Sequence, residues 1–151
     1  MSRTITVAAA FLLMASASAF GFDASDFKDF SSIVSTTSTW KNQRGSTMTI
    51  NIDSSGSVHG QYINRAPGFG CQNSEFPLNG RVNGKFIAFA VSWKNSVDNC
   101  NSVTGWTGYA RVNGSAIQIV TNWNIASQGA SGPSIQSGED LFNAEDLSKI
   151  P

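Results

Sequence analysis

The 151-residue chain has little of what metal, nucleic-acid and membrane proteins depend on. It carries one histidine, His59, two cysteines, Cys71 and Cys100, and only 13% charged residues. A zinc centre usually draws four ligands from closely spaced pairs, and His59 lies far in sequence from either cysteine. Ten basic residues balance ten acidic ones, and no basic cluster occurs. Nucleic acid and a membrane surface are therefore not expected partners, since both need a concentrated positive field. No apolar run approaches the roughly 20 residues of a membrane-spanning helix.

The nearest to such a run is Ile5 to Met14, preceded by Arg3 and followed by Ala17-Ser18-Ala19. A basic start, a short apolar stretch and small residues at −3 and −1 describe a secretory signal peptide, cut after Ala19. The competing reading is an N-terminal core helix. Export places the chain in the periplasm or outside the cell, where an even pair of cysteines is expected to form a disulfide.

From Thr39 onward the chain alternates with period two, interrupted by Gly, Asn and Ser. Ser46 to Asp53 reads as a strand, Ser54-Ser55-Gly56 as a turn and Ser57 to Asn64 as the return strand. Asn83-Gly84 joins Pro77–Val82 to Lys85–Trp93, and Asn113-Gly114 joins Ser102–Val112 to Ser115–Ile125. Asn-Gly between alternating segments is the strongest short hairpin signal. Short strands at Thr39–Asn42 and Glu139–Asn143 bring the count to about eight. The expected fold is all-β, an eight-stranded antiparallel up-and-down barrel, because closure removes exposed edges. A two-sheet sandwich is the alternative. Residues 39–143 would form the barrel and 144–151 a tail. Gln128–Gln136, rich in Gly and Ser, reads as a loop. Residues 20–38 form an extension in which Phe22, Phe27 and Phe30 either plug a barrel end or hang loose.

Residues two apart on a strand share a face. Met48, Ile50 and Ile52 must face the core, and Ser46 goes with them. Trp40 shares its face with Asn42, and Val58 with Tyr62 and Asn64. Trp93 lies with Ile87, Phe89 and Val91, and Trp106 with Ser102 and Thr104. Trp123 lies with Ile119, Thr121 and Ile125, which leaves Gln118, Asn122 and Asn124 facing water. Polar groups thus collect beside tryptophans at one barrel mouth. Burying them without partners is costly. Either they bond one another or buried water, or they form a small-molecule site.

These same residues carry a family resemblance. Thr39-Trp40-Lys41-Asn42-Gln43-Arg44-Gly45-Ser46 resembles the opening motif of the avidin family, W-x-N-x-x-G-S. Gly60-Gln61-Tyr62, Leu78-Asn79-Gly80-Arg81 and Trp93-Lys94-Asn95 resemble the next three segments. Thr104-Gly105-Trp106-Thr107-Gly108, Thr121-Asn122-Trp123 and Gly138-Glu139-Asp140-Leu141-Phe142 complete seven matches in order. The resemblance implies a protein that holds biotin non-covalently and with high affinity in the open barrel end. It implies that Asn42, Ser46 and Tyr62 donate to the ureido oxygen, and that Asp140 and Asn64 accept the two ureido N–H groups. Thr104 would meet the sulfur, Ser102 the tail carboxylate, and Trp93, Trp106 and Trp123 the apolar walls. Tetrameric members borrow a tryptophan from a neighbouring subunit, but none follows Trp123 here. Cys71 and Cys100 fall in loops over the mouth, as in rhizavidin-like dimeric bacterial avidins. The resemblance therefore implies a homodimer whose disulfide braces the lid and offsets the missing tryptophan.

An enzyme would need a catalytic constellation. His59 shares a strand with the inward Tyr62 but faces outward, away from the polar cluster, where a catalytic base is of no use. Asp140 lacks the second inward carboxylate of a glycosidase pair. No catalytic residue, metal site or cofactor is expected. The remaining class is a barrel that has lost its ligand and serves to bind protein. Small outward residues at Ala88, Ala90 and Ser92 suit close packing of one barrel on another.

Overall fold

The computed structural model describes residues 24–33 and 37–145. Met1–Ala19, read as a signal peptide, lies outside the described residues, as do Phe22 and the tail beyond Glu145. Nine strands run β1 (Phe27–Lys28), β2 (Ser38–Asn42), β3 (Thr47–Ile52), β4 (Ser57–Ile63), β5 (Glu75–Asn83), β6 (Phe86–Lys94), β7 (Asn99–Asn113), β8 (Ala116–Gly129) and β9 (Gly132–Ala144). Strands β2 to β9 pair antiparallel with their sequence neighbours, and β9 pairs back to β2 through Trp40↔Ala144 and Asn42↔Phe142. The result is a closed eight-stranded antiparallel barrel, not a sandwich.

Local chemistry sets the corners. Gly84 and Gly114 take φ of 56° and 62°, which a hairpin turn requires and glycine adopts without a Cβ clash. Along β6 the burial alternates without a break: Ile87, Phe89, Val91 and Trp93 are buried, and Ala88, Ala90 and Ser92 exposed. The inward side chains join Trp40, Met48, Ile50, Leu78, Ile119 and Phe142 in one core.

Residues 24–33 of the N-terminal extension plug the end opposite the polar mouth. β1 continues the β6 ladder on β7, since Phe86 opposes Tyr109 while Lys28 and Phe27 oppose Ala110 and Arg111. A four-residue helix, α1 (Phe30–Ile33), follows. It is capped by Asp29 Oδ1, which accepts from the Ser31 amide at 2.9 Å. Phe30 is fully buried in the core, and its amide donates to Gly84 O at 3.0 Å. Burying that ring contributes about 1.5–3 kcal/mol.

Two expectations fail. Gln128–Gln136 is not a loop: β8 and β9 pair down to Gly129↔Gly132, so the Gly/Ser-rich stretch is a hairpin overhanging the barrel mouth. Gln118 does not face water. It is buried in a polar relay in which Arg111 Nε donates to its Oε1 at 3.1 Å and its Nε2 donates to Asn143 Oδ1 at 2.9 Å. Trp40 offers a test of such buried pairing, because its Nε1 donates to Ser38 Oγ at 2.8 Å within the core. Ser38→Ala leaves that N–H without a partner and is expected to cost about 1–3 kcal/mol of stability, read from denaturant melts.

Candidate functional site

At the other end the barrel opens into a cavity of about 540 Å³ including its mouth. Asn42, Ser46, Tyr62, Asn64 and Asp140 line it together with Ser102, Thr104, Trp93, Trp106 and Trp123. The ten residues singled out in the sequence, drawn from β2, β4, β6, β7, β8, β9 and the loops that follow β2 and β4, are thus brought into one pocket. His59 is exposed and touches Asn79 at 3.2 Å.

The orientation of Asn42 is fixed by what surrounds it. The amides of Arg44 and Ser46 both donate to its Oδ1, at 3.0 and 2.9 Å. Backbone N–H groups can only donate, so Nδ2 must turn the other way. It donates to Asp140 Oδ1 at 3.0 Å and lies 3.4 Å from the Tyr62 hydroxyl. The Tyr62 phenol is buried, and burial together with the Asp140 charge pushes its pKa well above the usual value. Tyr62 therefore stays protonated and remains able to donate. The Ser46 hydroxyl accepts from the Arg65 amide at 2.9 Å, and its own proton points to Asn64 Oδ1 at 3.4 Å. Three donors from separate strands and loops thus converge on one corner of the pocket.

Asp140 is the counterpart acceptor. Burial raises its pKa, while donation from Trp106, the Arg44 charge and donation from Asn42 and Gln43 pull it back. Trp106 Nε1 reaches Oδ2 at 3.0 Å, and Gln43 Nε2 reaches Oδ1 at 3.3 Å. Gln43 also closes the β2–β9 seam, donating to Glu139 O and accepting from the Leu141 amide, both at 2.9 Å. On β7, Thr104 Oγ1 accepts from Trp93 Nε1 at 2.7 Å. That leaves the threonine proton free to be donated into the cavity.

The walls are aromatic. Trp106 stacks on Phe89 at 4.9 Å and on Tyr62 at 5.1 Å. Trp123 lies against Gly138, where an added Cβ would sit 2.3 Å from the indole ring. Gly138→Ala is therefore expected to push the rigid indole out of place and weaken ligand binding about tenfold, the loss of roughly 1.4 kcal/mol. Titration of the variant reads this directly.

Over the mouth, sequence reasoning singled out Cys71 and Cys100 but passed over Phe69. Phe69 meets Trp123 edge-on at 6.3 Å, and the Arg44 guanidinium lies 6.0 Å from the Phe69 ring. Phe69 therefore closes over the pocket from a loop, with Ala66 and Gly70 beside it in the lining. The available signal was an aromatic inside Pro67-Gly68-Phe69-Gly70-Cys71, next to a cysteine. Cys71 and Cys100 are joined, with Cα atoms 6.0 Å apart, tying this loop to the start of β7. Among the described residues no group of three His, Cys, Asp or Glu side chains could hold a metal ion.

The profile of the avidin family matches residues 31–145. The chain is 64% identical to rhizavidin in its crystal structure, with a TM-score of 0.77, covering 83% of this chain and 93% of that one. Against a rhizavidin–biotin complex the identity is 62% and the TM-score 0.74, covering 76% of this chain and 97% of the other. Afifavidin of Afifella pfennigii is 54% identical over 105 residues, 70% of this chain and 66% of that protein, just under two thirds of its length.

Proposed function

The chain belongs to the avidin family, and from that premise we propose that it binds biotin non-covalently and tightly, one molecule in the open barrel end. The observation that carries this is the opposition of three donors, Asn42, Ser46 and Tyr62, to one buried carboxylate, Asp140. A cyclic urea has one carbonyl oxygen and two N–H groups, so it needs that arrangement. The donors hold the ureido oxygen, where several preorganised hydrogen bonds in a dry site are strong. Asp140 and Asn64 accept the two N–H groups. The free Thr104 proton meets the thioether sulfur, Ser102 the tail carboxylate, and Trp93, Trp106 and Trp123 pack the ring and tail. Phe69 covers the mouth where tetrameric relatives use a borrowed tryptophan. Among the described residues one carboxylate, Asp140, is buried in the pocket, and His59 lies outside it; as a member of the avidin family the protein is a binder and not an enzyme.

Residues 1–19 act as an export signal, leaving a mature chain in the periplasm or outside the cell, with 20–38 as the extension, 39–143 as the barrel and 144–151 as a tail. A homodimer forms through the outer wall of β6 and β7, where Ala88, Ala90 and Gly105 present little bulk and no charge. Light scattering at twice the monomer mass supports this assembly, and a monomer rejects it. For the binding itself, calorimetry of the mature protein with biotin, backed by competition with a labelled ligand, is expected to saturate at one biotin per chain. Absence of both heat and competition rejects the reading.

A further inference from the structure

We propose that Asn64 is a positioning residue: its carboxamide ties the lid to the pocket and thereby sets Phe69 over the ligand. The proposal rests on the biotin reading above, but its first observations concern the ligand-free chain alone. Asn64 stands immediately after β4, where the lid begins. Its backbone bridges to Gln72, and its carbonyl accepts from the Asn73 amide at 2.9 Å. Both ends of the lid therefore meet at this residue.

Its side chain then reaches into the loop. Nδ2 donates to Gly70 O at 2.9 Å, and Oδ1 accepts from the Ala66 amide at 3.0 Å. Phe69 sits between those two anchor points. Gln72 Nε2 adds a third tie, donating to Ala66 O at 2.7 Å. The disulfide pins only Cys71, on one side of Phe69. Asn64 holds Ala66 on the other side and Gly70 next to it. A serine could not make both bonds, because its single oxygen lies too close to its own backbone to span from the Ala66 amide to Gly70 O.

The same carboxamide faces the pocket. In the ligand-free chain Ser46 directs its proton to Asn64 Oδ1 at 3.4 Å. A ligand carbonyl that draws this proton away frees one lone pair of Oδ1, and a ligand N–H can occupy it. Binding thus exchanges one hydrogen bond on Oδ1 for another, while Ala66 and Gly70 stay attached. The lid is ordered before the ligand arrives, which removes part of the entropic cost of closing it.

The test is a double-mutant cycle with Phe69, read in biotin dissociation, together with amide hydrogen exchange on the ligand-free protein. Asn64→Ser is expected to speed dissociation about tenfold, equivalent to roughly 1.4 kcal/mol. In a Phe69→Ala background the same change should alter the rate less than about twofold, because coupled residues are not additive. Exchange at Ala66 and Gly68–Gly70 should accelerate while β4 and β5 stay protected. An undiminished Asn64→Ser effect in the Phe69→Ala background would mean a ligand contact only, and unchanged lid exchange would remove the tie itself; either overturns the proposal. Asn64→Asp, which keeps the size but loses the Gly70 donor, provides the second variant if the serine protein folds poorly. Should the wild type not bind biotin, the functional reading fails while lid exchange still decides the tie.

Discussion

Asp140→Ala is expected to weaken biotin binding by two to four orders of magnitude, about 3–5 kcal/mol. Two losses combine in that figure. The ligand loses the only carboxylate that is buried among the described residues and can accept a ureido N–H. The protein is left with Trp106 Nε1 and Asn42 Nδ2, which reach Asp140 at 3.0 Å each, facing an empty space. Unpaired buried donors are costly in themselves. Asn42 stays oriented by the Arg44 and Ser46 amides on its Oδ1, but its Nδ2 keeps only the Tyr62 hydroxyl, 3.4 Å away, as a partner. Competition against labelled biotin measures the loss, and a change below about threefold would remove Asp140 from the site.

The same carboxylate is expected to make binding weaker in acid. Burial raises its pKa in the ligand-free chain. The acceptor must be ionised, so affinity is full above that raised pKa and falls as pH drops through it. The fall starts at a higher pH than an ordinary carboxylate would give. Stability of the empty protein responds with the opposite sign. A native pKa above the unfolded one means the native state holds the proton more tightly. Ligand-free stability therefore gains from Asp140 as pH falls through the native pKa, while binding loses. Asp140→Asn should flatten both dependences, measured by titrations and by melts across the same pH series.

Much of this site was legible before any coordinates because it sits on strands. Period two places Trp106 with Thr104 and Tyr62 with Asn64 whatever the rest of the chain does. The Asn-Gly turns fixed which segments pair. What escaped was held by other physics. The β8–β9 overhang carries Gly, Ser and Gln because its side chains are largely exposed and only the backbone ladder holds it, so no apolar alternation marks it. Gln118 is buried through Arg111 and Asn143 rather than by apolar neighbours, and a facing rule based on hydrophobicity puts it outside. Phe69, Arg44 and Gln43 lie in loops or turns, where no periodicity assigns a direction. Their roles come from contacts between segments distant in sequence, such as Gln43 with Leu141.

The second large effect is expected at the disulfide. Replacing Cys71 and Cys100 together by serine should lower stability by roughly 3–4 kcal/mol, the unfolded-chain entropy released by opening a loop of this length. The bridge spans a sequence separation of 29. That loss alone would occur wherever the bridge stood. Its position adds a second consequence, because Cys71 follows Phe69 by two residues and Cys100 lines the pocket itself. Cys71 and Asn101 hold φ of 52° and 48°, left-handed conformations that cost an ordinary residue about 1–2 kcal/mol. Without the bridge, relaxation of that backbone carries the Gly70 end of the lid away from β7, and Phe69 loses its edge contact with Trp123. Biotin should then dissociate faster by tenfold or more, about 1.4 kcal/mol or greater. The two consequences separate cleanly, since chain entropy acts on the unfolded state and leaves the dissociation rate alone. Lower stability with unchanged dissociation would reduce the bridge to a staple and leave the ordering of the lid to Asn64 and Gln72.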